Sequence, residues 1–173
     1  LTRASQSFHN LEPLALQDGV LRHASAHLLR MQTSAGHFGF AWQSDAVDAA
    51  TAAVCQRHPT GTWRVRLLLA TNGQLQAQAF PLADTPEPVR LQLATRPLAQ
   101  ARGEFVRHKT TRREHYDAFS PTDPAVFDTV LWNEQGEITE CTRGNLALLL
   151  NGQWVTPALD CGLLPGVGRA HWL

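Results

Sequence analysis

The sequence predicts an α+β protein built as two subdomains, and three observations carry that expectation. Residues 11–80 interleave two hairpin signals with two helical periodicities. Residues 127–155 form a run of short strand-like segments broken by turn dipeptides, and the stretch between the two regions is proline-bearing and irregular. At 173 residues the chain suits one domain, or one and a half, and can bury a substantial core.

Taken in order, residues 1–10 are polar and irregular, an expected frayed start or linker remnant. Leu11 to Leu16 has strand character, and Gln17-Asp18-Gly19 turns it back through Val20-Leu21. Leu28, Met31, Ala35 and Phe38 recur at helical spacing, so a helix is expected from Ala24 to Phe38, ended by Gly39. A second helix is expected from Asp45 to Gln56, with Ser44 as N-cap and Val47, Ala50 and Val54 on one face. His58-Pro59-Thr60-Gly61 breaks it. Trp63 to Ala70 and Leu75 to Phe80 then read as strands joined at Asn72-Gly73.

Pro86 and Pro88 mark the passage between subdomains, which places the domains at residues 1–102 and 103–173. A helix is expected from Arg113 to Phe119, halted by Ser120-Pro121. Strands at Phe127–Trp132, Ile138–Thr142, Leu146–Leu150 and Trp154–Val155 are punctuated like a meander or barrel. The glycines of Leu164-Pro165-Gly166-Val167-Gly168-Arg169 expose backbone amides just before an expected helix, an anion-binding geometry.

Composition narrows the function classes. Fifteen basic and fifteen acidic residues balance to a formal charge of zero. Nucleic acids and membrane surfaces ordinarily select a basic excess, so neither is expected as a partner. Cys55, Cys141 and Cys161 are an odd count without C-x-x-C spacing, which suggests neither a disulfide framework nor a metal site. His23 and His27 stand at i and i+4, but no third ligand accompanies them, and a surface or capping role is expected. No segment approaches about 18 continuous apolar residues, and no charged-then-apolar leader opens the chain, so a soluble cytoplasmic protein is expected.

One residue stands out by type. Fourteen of the fifteen basic residues are arginine and the other is Lys109. Lysine offers a primary amine that loses its proton when desolvated or crowded by cations, and so serves as a nucleophile or Schiff-base former. Arg107, Arg112 and Arg113 crowd it in sequence.

Four blocks in order carry a family resemblance: H-x-x-R-M-x-x-S-A (His27 to Ala35), H-K-T-T-R-R (His108 to Arg113), D-x-x-L-x-N-x-x-G-x-I-x-E-x-T-x-x-N (Asp128 to Asn145) and T-P-x-L-x-x-G-x-L-P-G-V-G-R (Thr156 to Arg169). Together they resemble the class IV, fold-type IV pyridoxal-phosphate enzymes. That family includes branched-chain and D-amino-acid aminotransferases and 4-amino-4-deoxychorismate lyase. The H-K-T-T block and the Leu-Pro-Gly-Val-Gly ending are most similar to the lyases, especially lyase domains fused to aminodeoxychorismate synthase. Arg112 departs from the family, many members of which carry asparagine there. The family's second subdomain also continues beyond the position of Leu173, which makes a truncated second subdomain the expectation.

The resemblance implies that Lys109 holds the aldehyde of pyridoxal 5'-phosphate and that Glu140 faces the pyridine nitrogen. It implies that Arg30 binds the phosphate together with the amides of Val167 and Gly168, while Thr142 and Asn145 support the pocket. Each has a bland counterpart: a helix-surface ion pair for Arg30, an exposed strand position for Glu140, an ordinary helix start at Gly166–Arg169. The preserved order of the blocks argues against all of these together.

The implied partner is a small carboxylated amine, and the implied assembly a homodimer or a synthase fusion. The implied reaction converts aminodeoxychorismate to 4-aminobenzoate and pyruvate in folate biosynthesis. Three arginines within six residues of Lys109 suit a substrate with two carboxylates. Amino-group transfer on branched-chain or D-amino acids, and a non-catalytic relative serving as an interaction domain, remain open at this stage.

Overall fold

The computed structural model describes residues 8–173, so the expectation for residues 1–7 lies outside the described residues. Packing divides the chain into two units, Leu1–Asp84 with Lys109–Arg112, and Thr85–His108 with Arg113–Leu173.

The first unit is an antiparallel sheet with two helices. Strand β1 (Asn10–Gln17) turns into β2 (Val20–Leu21), and helices α1 (Ala24–Phe38) and α2 (Ser44–Arg57) precede β3 (Thr62–Leu69) and β4 (Leu75–Pro81). The strand order is β2-β1-β3-β4. Asp18 and Gly19 both hold positive φ, 48° and 78°, as the mirror-image hairpin turn between right-twisted strands requires. Asn10, Glu12, Leu14 and Leu16 are buried, while the residues between them are only partly covered, the period-two signature of a strand with one face on the core. That core gathers Leu14, Leu16, Val65, Leu67 and Leu69 from the sheet, Met31 and Ala35 from α1 and Val54 from α2.

Helix α1 keeps its expected bounds, and Gly39 ends it in the left-handed region at φ 71°. Helix α2 starts one residue earlier than expected. Ser44 lies inside it and Gln43 occupies the N-cap without a side-chain bond.

Lys109–Arg112 belongs to this unit because its backbone pairs beside β1. The Leu11 amide donates to the Lys109 carbonyl at 3.0 Å, the Thr111 amide to the His9 carbonyl at 3.0 Å, and Thr110 bridges Asn10. Thr110 Oγ1 accepts the Arg112 amide at 3.2 Å, closing a small turn after the lysine.

In the second unit, β5 (Leu91–Leu93) runs parallel to β6 (Asp128–Trp132), which pairs antiparallel with β7 (Ile138–Cys141). Strands β8 (Leu148–Leu150) and β9 (Gln153–Val155) form a separate ladder. The sequence predicts a meandering or barrel-like sheet; the structure shows two separate sheets here. They part at residues 142–147, where the chain leaves β7 in a loop instead of a hairpin.

The short helices α3 (Glu104–Arg107) and α4 (Glu114–Asp117) flank the Lys109 segment in sequence, and α5 (Val167–Trp172) closes the described chain. Helix α4 is shorter than the expected Arg113–Phe119. Ala94, Leu98, Ala101 and Val106 share a core with Tyr116, Phe119 and Leu131. This core and the β5–β6 pairing attach Thr85–His108 to the later residues, where the sequence reading placed the junction at 102/103.

Leu67 is 0 % exposed at the centre of the first core. Leu67→Ala is expected to lower the unfolding free energy by about 2–5 kcal/mol. Urea unfolding followed by far-UV circular dichroism checks this, with a midpoint unchanged from the parent as the contrary result.

Candidate functional site

In the first unit a buried carboxylate organises the residues of the first block. Glu12, 0 % exposed, sits in β1 on the same alternation as Leu14 and Leu16. Arg30 Nε donates to Glu12 Oε2 at 3.1 Å and Arg30 Nη2 to Oε1, while His27 Nδ1 contacts Oε1 at 2.7 Å. His27 and Arg30 reach one carboxylate because residues three apart on a helix lie on one face. Arg30 is therefore held in a two-point ion pair with a side chain only 12 % exposed, not in a helix-surface pair. His27 likewise belongs to this cluster instead of the surface or capping role expected for it. Its neighbour His23 occupies the N-cap of α1 at φ 51°. Among the described residues no three His, Cys, Asp or Glu side chains converge as metal ligands.

Asn10 Nδ2 donates to the Met31 carbonyl at 2.7 Å, tying β1 to α1 at the same residue that Thr110 bridges. The half-buried Lys109 is thus mounted on rigid backbone.

In the second unit Glu140 plays the corresponding part. It lies in β7, 3 % exposed. Tyr116 Oη donates to its Oε1 at 2.6 Å, while Asn145 Nδ2 and the Leu164 amide donate to Oε2 at 3.2 and 3.1 Å. Three donors converge on two oxygens, and a carboxylate is the acceptor that matches them. Glu140 is therefore not an exposed strand residue. Burial, reinforced by the adjacent Glu140, pushes the Tyr116 phenol far above its usual range, so it stays protonated and donates. Arg113 stacks on the Tyr116 ring, 4.8 Å from its centroid, and donates to the Thr142 carbonyl.

Asp128 anchors the loop that follows. Its Oδ1 accepts from the Thr129 amide, the Thr142 amide and the Thr142 hydroxyl, at 2.7, 3.2 and 2.6 Å, and its Oδ2 accepts the Arg143 amide at 3.1 Å. Thr142 is accordingly a loop anchor. Asn145, beyond it, reaches back to Glu140 and also donates to the Leu164 carbonyl at 3.0 Å.

Val167 and Gly168 open α5, where first-turn amides have no partner within the helix. A Cβ placed on Gly168 would meet no atom within 4 Å. A cleft of about 370 Å³ opens here, lined among others by Asn145, Thr156, Gly168, Arg169 and Trp172. Arg169 fixes the helix start by donating to Thr156 Oγ1 at 3.2 Å and to the Pro157 carbonyl at 2.9 Å.

The Amino-transferase class IV family model matches residues 11–173. The chain belongs to the class IV aminotransferases. This family is pyridoxal-phosphate dependent and of fold type IV. A Schizosaccharomyces pombe protein that carries the provisional name aminodeoxychorismate lyase is 33 % identical over 170 residues, 95 % of this chain and 73 % of the relative. A solved structure from Mesorhizobium loti, provisionally named an amino-acid aminotransferase, superposes with TM-score 0.84 at 35 % identity, over 95 % of this chain and 81 % of that one. A second, from Legionella pneumophila and provisionally named a 4-amino-4-deoxychorismate lyase, gives TM-score 0.81 at 22 % identity, over 94 % of this chain and 66 % of that one.

Within this class IV chain, sequence reasoning assigned no role to Tyr116, Glu12 or Asp128. Tyr116 is the only tyrosine in the sequence and stands seven residues after the only lysine. Glu12 shares the inward alternation of β1 with Leu14 and Leu16, a signal that a period-two reading of β1 could have used.

The thiol of Cys141, buried between Asp128 and Glu140, is pushed up to about 12, chiefly by burial and then by those two carboxylates. It should stay unmodified by an aromatic disulfide reagent at pH 8 while the protein is folded, and react once urea unfolds the chain. Rapid labelling of Cys141 in the native protein, read by peptide mapping, is the contrary result.

Proposed function

We propose that this chain is a pyridoxal-phosphate enzyme acting as a 4-amino-4-deoxychorismate lyase, with 4-aminobenzoate and pyruvate as products. The donor set fits the cofactor. Glu140 offers a buried carboxylate to a ring N–H, and Val167 and Gly168 open a helix whose first-turn amides lack intrahelical partners, with Gly168 lining the cleft. When bound, pyridoxal phosphate supplies a conjugated electron sink for the substrate carbon that bears nitrogen.

The chain's own residues divide the remaining work. Lys109 provides the amine that would hold the aldehyde and, once exchanged for the substrate amine, moves a proton at that carbon. Glu140 keeps the ring nitrogen protonated. Tyr116 and Asn145 hold Glu140 in place, and Arg30, oriented by Glu12, is the cation for the phosphate. Arg113 is engaged by Thr142 and Tyr116, so the choice of substrate does not rest on three arginines near Lys109.

The observation that carries the lyase reading is the H-K-T-T block within a chain 33 % identical, over 95 % of its length, to the Schizosaccharomyces pombe relative. One observation favours amino-group transfer instead, the 35 % identity to the Mesorhizobium loti structure. Lys109, Arg30 and Glu140 serve either reaction. A homodimer, by itself or fused to a synthase, is the assembly we propose.

Borohydride reduction of the cofactor-loaded protein is expected to mark Lys109 alone, and Lys109→Ala to lose every adduct except one at the amino terminus. An adduct retained on another residue refutes Lys109 as the attachment point. Aminodeoxychorismate is expected to yield 4-aminobenzoate and pyruvate in equal amounts; turnover only of amino acids with 2-oxoglutarate refutes the lyase and establishes the transferase.

A further inference from the structure

One side-chain nitrogen in the second unit serves two acceptors. Asn145 Nδ2 donates to Glu140 Oε2 at 3.2 Å and to the Leu164 carbonyl at 3.0 Å. The Leu164 amide donates to the same Glu140 oxygen at 3.1 Å, so carboxylate, amide side chain and backbone form a closed triangle. The oxygen of the same side chain lies close to Gly166. A Cβ built on Gly166 would lie 1.9 Å from Asn145 Oδ1, so the side chain is seated directly against the Gly166 backbone.

The path from this triangle to α5 has little slack. Pro165 restricts its own φ, Gly166 is extended at φ −68° and ψ 135°, and its carbonyl already accepts the Ala170 amide at 3.0 Å. A displacement of Leu164 is therefore passed to the amides of Val167 and Gly168.

We propose that Asn145 is a positioning residue that ties Glu140 to the Leu164–Gly166 turn, and so sets where the Val167 and Gly168 amides stand relative to the carboxylate. A ligand with a ring nitrogen at one end and a phosphate at the other is then gripped at both ends by one clip. The inference rests on the cofactor reading above and deepens it. Asn145 acts through Glu140 and the turn and need not touch the cofactor. The sequence motif places this asparagine five residues after the glutamate, while the structure gives it a second partner nineteen residues further along the chain.

The test compares the parent chain, Asn145→Ala and Gly166→Ala in absorbance titrations with pyridoxal 5'-phosphate and with pyridoxal, which has the same ring and no phosphate. The ratio of the two affinities isolates the phosphate contribution, because ring and aldehyde chemistry cancel. In both variants the preference for the phosphorylated ligand is expected to shrink by about tenfold, the scale of one hydrogen bond to a charged group. Equal weakening toward both ligands assigns Asn145 a merely structural role and overturns the proposal alone. A parent chain that binds neither ligand overturns the cofactor reading and the proposal with it.

Thermal unfolding without ligand examines the clip independently. Adding Asn145→Ala to Gly166→Ala removes the atom the new Cβ meets, so the double variant should melt no lower than Gly166→Ala by itself. Additive losses from the two substitutions would overturn the seating of Asn145 on Gly166.

Discussion

A carboxylate held away from water must be met by donors, and each unit of this protein is organised around one that is. An uncompensated buried charge costs several kcal/mol, so sequences that retain one also supply its partners. In the first unit Glu12 is met by His27 and Arg30 from neighbouring turns of one helix. In the second, Glu140 draws its donors from three separate stretches, at Tyr116, Asn145 and Leu164. The first arrangement is local and rigid by virtue of helix geometry. The second fixes a loop, a short helix and a turn against one strand at the same time, and therefore carries more of the architecture.

The chemistry follows from what these carboxylates orient. A lysine proposed as a Schiff-base former must be held on stiff backbone, and Lys109 pairs beside β1. In the proposed reading a carboxylate that faces a pyridinium must be shielded from water and fixed in direction, and Glu140 is buried with Tyr116 and Asn145 donating to it. Tyr116 suits this because burial keeps its phenol protonated, so it remains a donor across the working pH range. Arg113 illustrates the opposite outcome. Its position near Lys109 in sequence suggested substrate binding, yet its guanidinium is engaged by the Thr142 carbonyl and the Tyr116 ring.

Much of the fold could be read directly. The hairpins at Asp18-Gly19 and Asn72-Gly73 were legible because turn chemistry is local, and α1 kept its expected ends because periodicity and the Gly39 cap agree. The second sheet was misjudged. Alternation shows that a segment is a strand but not which strand it joins, and β5 pairs in parallel with a partner more than thirty residues away. The candidate residues divide in the same way: Lys109, Arg30 and Glu140 stood out by type and motif, while Glu12, Asp128 and Tyr116 were passed over.

By itself, then, the sequence determined the residue types available for chemistry, the order of the four blocks that place the chain in its family, and the local elements whose causes lie within a few residues. Tertiary structure decided which carboxylates are buried, that Arg30 is paired to Glu12, that Arg113 is engaged inside its own unit, and that Lys109–Arg112 returns to β1 while the residues on either side do not. The physical reason is range. Turn dihedrals and helix periodicity are set by near neighbours, whereas burial, the pKa shifts it causes and hydrogen-bond partnership depend on residues far along the chain, and a single sequence does not say which distant donor will reach a given acceptor.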